Sequence, residues 1–181
     1  ASKVIPLSEA VLELEVTPNR TDCFGIYGVA REAHAITGAP LATAPWEGLE
    51  VEAGEQAGQI VSVNVEDAEL CPRFTARVFR NVKVGESPLW LKARLIASGQ
   101  KPINNVVDIT NYVMWLTGQP MHAYDLDLVP EGELTVRRAG AGEKVDTLDG
   151  TTREIPAGVG IVCDKNGPAG IAGIMGGAVS E

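Results

Sequence analysis

Turn signals divide the last third of the chain into short apolar runs, and their spacing constrains the fold more than any other feature. Asp149-Gly150 and Asn166-Gly167 are dipeptides of the kind that hairpin turns with positive φ require. Strand patterns lie around them, at residues 134–136, 161–163 and 169–175. The last third of the chain is therefore predicted to be rich in β-structure.

A helix is predicted upstream of these strands. Val106, Ile109, Val113 and Leu116 recur at helical spacing, and Gly118 follows as a C-terminal glycine. The same rules predict further elements: helices over 26–36 and 88–98, with Ser87 as the cap of the second, and strands over 12–16, 60–65 and 74–82.

The chain of 181 residues is long enough for one domain and a small additional part. Residues 41–59 are rich in alanine, glycine, proline and glutamate, a composition typical of a surface linker. We therefore predict an N-terminal strand–helix segment over 1–40 and a larger domain over 60–181.

Charge and cysteine content exclude several classes of function. The chain has 15 Lys and Arg and 24 Asp and Glu. The resulting net charge of −9 predicts that the chain alone binds nucleic acid weakly. Cys23, Cys71 and Cys163 are far apart and form no Cys-x-x-Cys pair, which favours a reducing cytosol and neither a disulfide scaffold nor a metal site. No apolar run reaches the roughly 18 residues of a membrane helix, and the first residues lack a signal-peptide layout.

Polar residues with possible chemical roles concentrate around the helix that ends at Gly118. Asn104 and Asn105 directly precede it, where capping is the simpler interpretation, and the helix dipole favours Asp108 near its start. Thr110 and Asn111 are poor interior helix formers, which leaves a functional role open for them.

His122 is the one plausible general base near neutral pH in the larger domain, although a lone histidine is more often structural. Asp125 and Asp127 follow it on one side of a strand-like segment. Paired carboxylates can share catalysis, but a solvated strand face is the simpler interpretation. His34 lies on the first predicted helix and is interpreted as a surface or packing residue.

Four segments resemble the β subunit of bacterial phenylalanyl-tRNA synthetases. They are residues 14–23 (LEVTPNRTDC), 102–114 (PINNVVDITNYVM), 118–125 (GQPMHAYD) and 170–177 (GIAGIMGG). Their order and spacing follow the family, and the resemblance covers the chain from about Val11 to Glu181. The chain resembles the central editing domain of that subunit together with the segment that leads into it.

The resemblance implies an α+β fold, with a mixed β-barrel or sandwich-like core and packed helices. It also implies a cytoplasmic α₂β₂ holoenzyme whose separate α subunit carries the aminoacylation that uses ATP and magnesium. The matching part of the β subunit hydrolyses tyrosine wrongly attached to phenylalanine tRNA, with no cofactor and no metal of its own. The implied partners are the α subunit, the acceptor end of the tRNA and tyrosine, with no membrane involved.

The family's editing pocket corresponds here to Thr110, Asn111, His122, Ala172 and Gly173. The resemblance implies that His122 is the catalytic residue and that it orients or activates the attacking water. It assigns Thr110 and Asn111 to polar groups of the amino acid or of the terminal adenosine. Ala172 and Gly173 would form a wall that lets the ring approach closely. The hypothesis predicts that all five residues lie within about 12 Å of one centre, a span suited to a ligand pocket.

Two further positions bear on this pocket. Lys101 stands where relatives carry a basic residue at the rim, so the resemblance implies a contact with the tRNA end. The family's glutamate that recognises the tyrosine hydroxyl lies beyond the glycine-rich strand, and Glu181 is not expected to replace it. A domain truncated at its C-terminus is therefore expected, with a pocket open on that side.

Editing of mischarged tRNA is the leading hypothesis for the function. One alternative is a non-catalytic module of the same fold that binds an amino acid or a peptide. Another is a purely structural part of the holoenzyme. Deacylation of tyrosyl-tRNA distinguishes the first hypothesis from both alternatives.

Overall fold

The computed structural model describes residues 10–48 and 54–179, so that part of the predicted linker and Glu181 lie outside the described residues. Contacts group the chain into two compact units, each built from two stretches. The units comprise the described residues of 1–51 with 83–121, and of 52–82 with 122–181. The sequence-based division at residues 40 and 59 differs from this grouping and stays a prediction.

The described part of the first unit contains three α-helices, α1 (Ile26–Thr37), α2 (Leu89–Ala97) and α3 (Asn105–Thr117). All three confirm predicted helices. Gly38 and Gly118 end α1 and α3 in the left-handed conformation, with φ of 70° and 76°. The strand predicted over 12–16 is wrong: these described residues form no strand, because an alternating pattern still needs a hydrogen-bonded neighbour.

The sequence pattern predicts a buried stripe of Leu89, Ala93 and Ile96 on α2, with Leu95 alongside, and the observed buried face differs from it. Leu91 and Leu95 are almost fully buried, whereas Leu89 and Ile96 are exposed. The pattern was ambiguous because apolar residues occupy most positions of this helix. Among the described residues, no helix combines the length and the apolar character that crossing a membrane requires.

The second unit holds the strands. In chain order they are β1 (Ser62–Val65), β2 (Glu133–Arg138), β3 (Lys144–Asp146), β4 (Thr152–Glu154), β5 (Gly160–Asp164), β6 (Gly167–Ile171) and β7 (Met175–Gly176). Five of them form one sheet in the order β1-β2-β5-β6-β7, and β3 pairs with β4 in a second sheet. β1 and β2 are parallel, and the other neighbours are antiparallel.

This architecture confirms the α+β class. Of the expected barrel or sandwich-like core, only the closed barrel is wrong, because the five-stranded sheet is open, with β1 and β7 as its edges among the described residues. The two predicted hairpin turns are confirmed, and Gly150 and Gly167 adopt φ of 77° and 130° there. The strand predicted over 74–82 is absent from the described sheet, although Phe74 packs against the core.

The central strand β5 separates two hydrophobic clusters. Ile161 and Cys163 pack with Ile155 in one cluster, and Val162 packs with Val136 in the other. Successive side chains of a strand point to opposite faces, so β5 is buried on both. Burial raises the pKa of the Cys163 thiol to about 11, and this thiol is therefore expected to be unreactive near neutral pH.

An ion pair at the end of β2 makes the stability of the second unit depend on pH. Arg137 donates from Nη1 and Nη2 to the two carboxylate oxygens of Glu143, at 2.8 and 2.6 Å, and the Gly140 N–H donates to Glu143 at 2.6 Å. These hydrogen bonds, that from Arg137 foremost, lower the pKa of the Glu143 carboxyl from its ordinary 4.5 to about 2. A carboxyl whose pKa is lower in the folded state than in the unfolded state stabilises the folded protein at pH values above the unfolded-state pKa. This stabilisation is lost as the pH falls through the folded-state pKa.

We expect Glu143→Gln to lower the free energy of unfolding by about 1 kcal/mol at pH 7, because the charge-assisted hydrogen bonds are lost. The difference from wild type should shrink from about pH 4.5 downward and largely disappear near pH 2. Chemical denaturation at pH 7 and pH 2.5 measures this, with the exposed Glu154→Gln as the control. An equal destabilisation at both pH values would contradict the assignment.

Candidate functional site

Asn104 fixes the start of the helix that carries Thr110 and Asn111. Its Oδ1 accepts hydrogen bonds from the N–H groups of Val106 and Val107, each at 3.0 Å. These N–H groups have no partner within the helix. The capping interpretation of Asn104 is confirmed.

Asp108 is wholly buried in the first turn of α3 and ties this turn to the segments before it. One carboxylate oxygen accepts a hydrogen bond from the Ser87 hydroxyl, and the other accepts from the N–H of Ile103 at 2.8 Å. The prediction that Ser87 caps α2 is wrong, because its hydroxyl is bonded to Asp108 and Pro88 occupies the cap position. Asp108 therefore positions α3.

Asn105 holds the loop that precedes α2. Its Nδ2 donates to the carbonyl of Lys83 at 2.9 Å, and its Oδ1 accepts from the N–H of Gly85 at 3.0 Å. The side chain thus bonds to a loop 20 residues earlier in the sequence and does not cap the helix. Asn104, Asn105 and Asp108 therefore all have structural roles around the start of α3.

Thr110 and Asn111 lie half-buried in the middle of α3. The Thr110 hydroxyl donates to the carbonyl of Val107, one turn earlier, at 2.8 Å. Because its single proton is used there, the hydroxyl oxygen is left as an acceptor. The Asn111 amide can both donate and accept. The two side chains therefore offer complementary hydrogen-bonding groups about 100° apart on the helix.

His122 lies half-buried in an irregular segment between α3 and a 3₁₀ turn, Leu126–Leu128. The strand-like tail predicted here is wrong, because this turn replaces it. Asp125 caps the turn by accepting from the Asp127 N–H at 3.1 Å. Both aspartates are exposed, as the solvated interpretation predicts. The partial exposure of His122 suits a group that must reach a water molecule.

Ala172 and Gly173 lie at the turn of a β-hairpin and not within one strand, as was predicted from the apolar run. β6 ends at Ile171 and β7 begins at Met175, and the Ile174 N–H donates to the Ile171 carbonyl at 3.0 Å. Gly173 has φ of 70°, a conformation that strains a residue with a Cβ. The hairpin turn thus presents backbone and small side chains.

One hydrophobic cluster connects this hairpin with the segment around His122. Tyr124, two residues after His122, packs against the cluster of Val136 and Val162, and so does Ala172. Within the second unit, the chain near His122 and the hairpin therefore border the same core.

The predicted site residues are distributed over both units. The first unit holds Lys101, Thr110 and Asn111, and the second holds His122, Ala172 and Gly173. Lys101 is exposed in the connection between α2 and α3. The convergence of the pocket residues on one centre, and the open side of the pocket, stay predictions.

Sequence reasoning missed an ion-pair network in the first unit. Asp22, Cys23 and Glu32 bring potential metal ligands within 4.8 Å of one another. Arg20 donates to all three, at 3.0 Å to Asp22, 2.6 Å to Glu32 and 3.4 Å to the Cys23 sulfur. Its guanidinium lowers the pKa of Asp22 to about 2 and also lowers that of Glu32. The Arg20 cation already neutralises one of the two carboxylate charges, and Glu32 contributes to the network from α1, 12 residues further along the chain.

Comparisons with known proteins agree on one family. Residues 70–181 match the family model described as the B3/4 domain. The chain is 47% identical to the phenylalanine–tRNA ligase beta subunit of Moorella thermoacetica, over 100% of this chain and 22% of the relative. It is 48% identical to the subunit of that name from Carboxydothermus hydrogenoformans, over 99% and 22%, and 46% identical to that of Desulfotalea psychrophila, over 97% and 21%. The chain spans about a fifth of the length of these curated relatives.

Proposed function

Because the chain belongs to the B3/4 domain family, we propose that it is the editing module of a phenylalanine–tRNA ligase β subunit, which hydrolyses tyrosine mischarged on phenylalanine tRNA. The observation that carries the proposal is the whole-chain similarity to β subunits. The motif resemblance supports it, because it assigns Thr110, Asn111 and His122 to the family's editing pocket.

The proposal places the module in a larger cytoplasmic assembly. A catalytic α subunit, in an α₂β₂ arrangement, would bind ATP and magnesium and charge the tRNA. The β subunit would receive the acceptor end of the tRNA when the wrong amino acid is attached. This division assigns ester hydrolysis, and no cofactor, to the present chain.

The hydrolysis requires a positioned water and stabilisation of the oxyanion that develops on the ester carbonyl. In the proposal, His122 takes a proton from the attacking water as the water oxygen bonds to the ester carbon. The bond between that carbon and the ribose oxygen then breaks, and the ribose oxygen takes the proton back from His122 to leave as a hydroxyl. The Thr110 hydroxyl, which already donates to Val107, accepts from the ammonium group of the tyrosyl ester. Asn111 binds a carbonyl or a ribose hydroxyl. The hairpin turn at Ala172 and Gly173 forms the wall beside the ring.

A separate editing site is needed because tyrosine differs from phenylalanine by one hydroxyl group. A hydrophobic synthetic pocket rejects an added hydroxyl by only about 100-fold. A second site that hydrogen-bonds this hydroxyl discriminates in the opposite direction, because phenylalanine leaves the polar groups of that site unpaired. The two selections in series protect the correct product.

The proposal is tested with the ligase assembled from full-length β subunit and α subunit. We expect tyrosyl-tRNA to be deacylated at least about tenfold faster than phenylalanyl-tRNA, since one missing hydrogen bond in a polar site costs at least that much. AMP and pyrophosphate are omitted, so that reversal of aminoacylation does not contribute. Equal rates, both at the level without enzyme, would support the binding or structural alternatives instead.

A further inference from the structure

An aromatic–arginine cluster on α2 and α3 has no role in the pocket proposed above. The Arg94 guanidinium lies 5.6 Å from the ring centroid of Trp90 and 5.8 Å from that of Tyr112. Arg94 Nη1 donates to the Tyr112 hydroxyl at 2.6 Å. The two rings meet edge to face, with centroids 5.6 Å apart and planes at 86°. The three side chains therefore hold one another in a fixed arrangement.

This cluster is on the surface of the first unit. Trp90 is 54% exposed, and Arg94 is exposed as well. From the sequence, Trp90 is most simply either a core residue or a helix contact, and the first of these two interpretations is wrong. Its contact with α3 through Tyr112 agrees with the other interpretation, a helix contact. Ile109, one helical turn before Tyr112, is 52% exposed and extends the apolar surface. An exposed tryptophan beside further exposed apolar residues marks an interaction surface.

The same region is basic in an otherwise acidic chain. Residues 83–121 carry four basic and two acidic residues, whereas the whole chain has a net charge of −9. Of the two acidic residues, Asp108 is wholly buried and Glu86 pairs with Lys92 at 3.5 Å. No carboxylate of the described residues pairs with Arg94, so its charge faces solvent. The charge of this chain segment and the unpaired cation of Arg94 thus favour an anionic partner.

We propose that Trp90, Arg94 and Tyr112 form a platform for a single-stranded ribonucleotide, with a base stacked on the Trp90 ring and a phosphate bound by Arg94. Base–aromatic stacking combined with a cation that neutralises the backbone is the usual chemistry of single-stranded nucleic acid binding. An acidic protein surface would also pair with the charge of Arg94, but its carboxylates would not stack on the ring of Trp90 as a nucleic acid base does. The inference rests on the proposed function, which supplies the RNA.

The position of the platform on α3 indicates which nucleotide it would hold. Tyr112 directly follows Asn111, and it lies about 200° around the helix from Thr110. Tyr112 of the platform and the pocket residues Thr110 and Asn111 therefore point in different directions around α3. A terminal adenosine bound by Thr110 and Asn111 leaves the platform for a nucleotide further upstream in the unpaired 3′ end. The platform would orient the tRNA end without touching the ester.

The test uses the assembled ligase and phenylalanine tRNA that carries 2-aminopurine in its unpaired 3′ end, since stacking on an aromatic ring quenches this fluorophore. We expect Trp90→Ala to abolish the quenching and to raise KM for tyrosyl-tRNA deacylation about tenfold, with kcat unchanged. Trp90→Phe should keep most of both properties. Phe79→Ala, which removes another exposed aromatic side chain, is the control and should match wild type.

A salt titration tests the phosphate contact separately. Arg94→Ala should reduce the slope of log Kd against log salt by about 0.7, the value for one phosphate of a single strand. The matched control is Arg31→Ala, which removes an exposed arginine of α1 and should leave the slope unchanged.

The outcomes separate this proposal from the proposed function. Unchanged quenching and KM in Trp90→Ala, with deacylation intact, would overturn the platform alone. Quenching that depends on Trp90 in a ligase that deacylates nothing would overturn the editing function and support the platform. Dissociation of the α and β subunits in Trp90→Ala, with RNA binding by β unchanged, would show a protein interface and overturn the platform.

Discussion

Replacing His122 by alanine is expected to lower kcat for tyrosyl-tRNA deacylation at least about 100-fold. General acid–base groups contribute about 10²- to 10⁴-fold, and the substitution removes the imidazole that would accept the proton of the attacking water. KM should change little, because in the proposal other residues bind the amino acid and the adenosine. Steady-state hydrolysis of tyrosyl-tRNA by the assembled ligase measures both constants.

The matched control is His34→Ala, the other histidine of the chain. His34 lies exposed on α1, and its Nδ1 is 2.5 Å from the carbonyl oxygen of Ala39. Its replacement should leave deacylation within about twofold of wild type, since surface substitutions have small effects. A His122→Ala ligase that deacylates at the wild-type rate would exclude His122 as the general base.

Replacing Asp108 by alanine is expected to lower the free energy of unfolding by about 3 kcal/mol. The carboxylate is wholly buried and accepts from the Ser87 hydroxyl and the Ile103 N–H. Its removal leaves both donors without this partner. The Ser87 hydroxyl is buried, where an unsatisfied polar group costs about 1–3 kcal/mol, and the hydrogen bond from the Ile103 N–H is lost as well. Denaturant unfolding, followed by the loss of helical circular dichroism, measures the change.

Asp127→Ala is the control for Asp108, because Asp127 is an exposed aspartate in the first turn of a short helix. Its loss should cost less than about 0.5 kcal/mol. Asp108→Asn should fall between the two, since it keeps the shape but replaces one acceptor oxygen with a donor. Equal stability of the Asp108→Ala and Asp127→Ala chains would show that the buried hydrogen bonds contribute little.

The helices could be predicted from the sequence because their signals are local. The spacing of Val106 to Leu116, the cap at Asn104 and the glycine at 118 all lie within one segment, and α3 follows them closely. Likewise, Asp149-Gly150 and Asn166-Gly167 specify hairpins through the backbone conformation of the glycine itself. The edges of the sheet could not be predicted in this way, because closure into a barrel depends on pairing between distant strands.

At the candidate site, too, predictions were correct where local signals determine the structure, and wrong where contacts with distant residues determine it. Ser87 and Asn105 both had the residue type of a helix cap, but tertiary partners use their side chains instead. The run over 169–175 has a strand composition, yet Gly173 turns the chain back and places Ala172 at a hairpin. The role proposed for His122 rests on the family resemblance, since a single histidine carries no local signal of its function.

A crystal structure of the assembled ligase with a non-hydrolysable 3′-tyrosyl-adenosine analogue tests the central claim most directly. The account predicts that the analogue binds with atoms of Thr110, Asn111, His122, Ala172 and Gly173 all within about 12 Å of its centre, and with a water between His122 and the ester position. An analogue bound elsewhere on the β subunit, or His122 and Gly173 on opposite faces of the domain, would contradict the editing assignment.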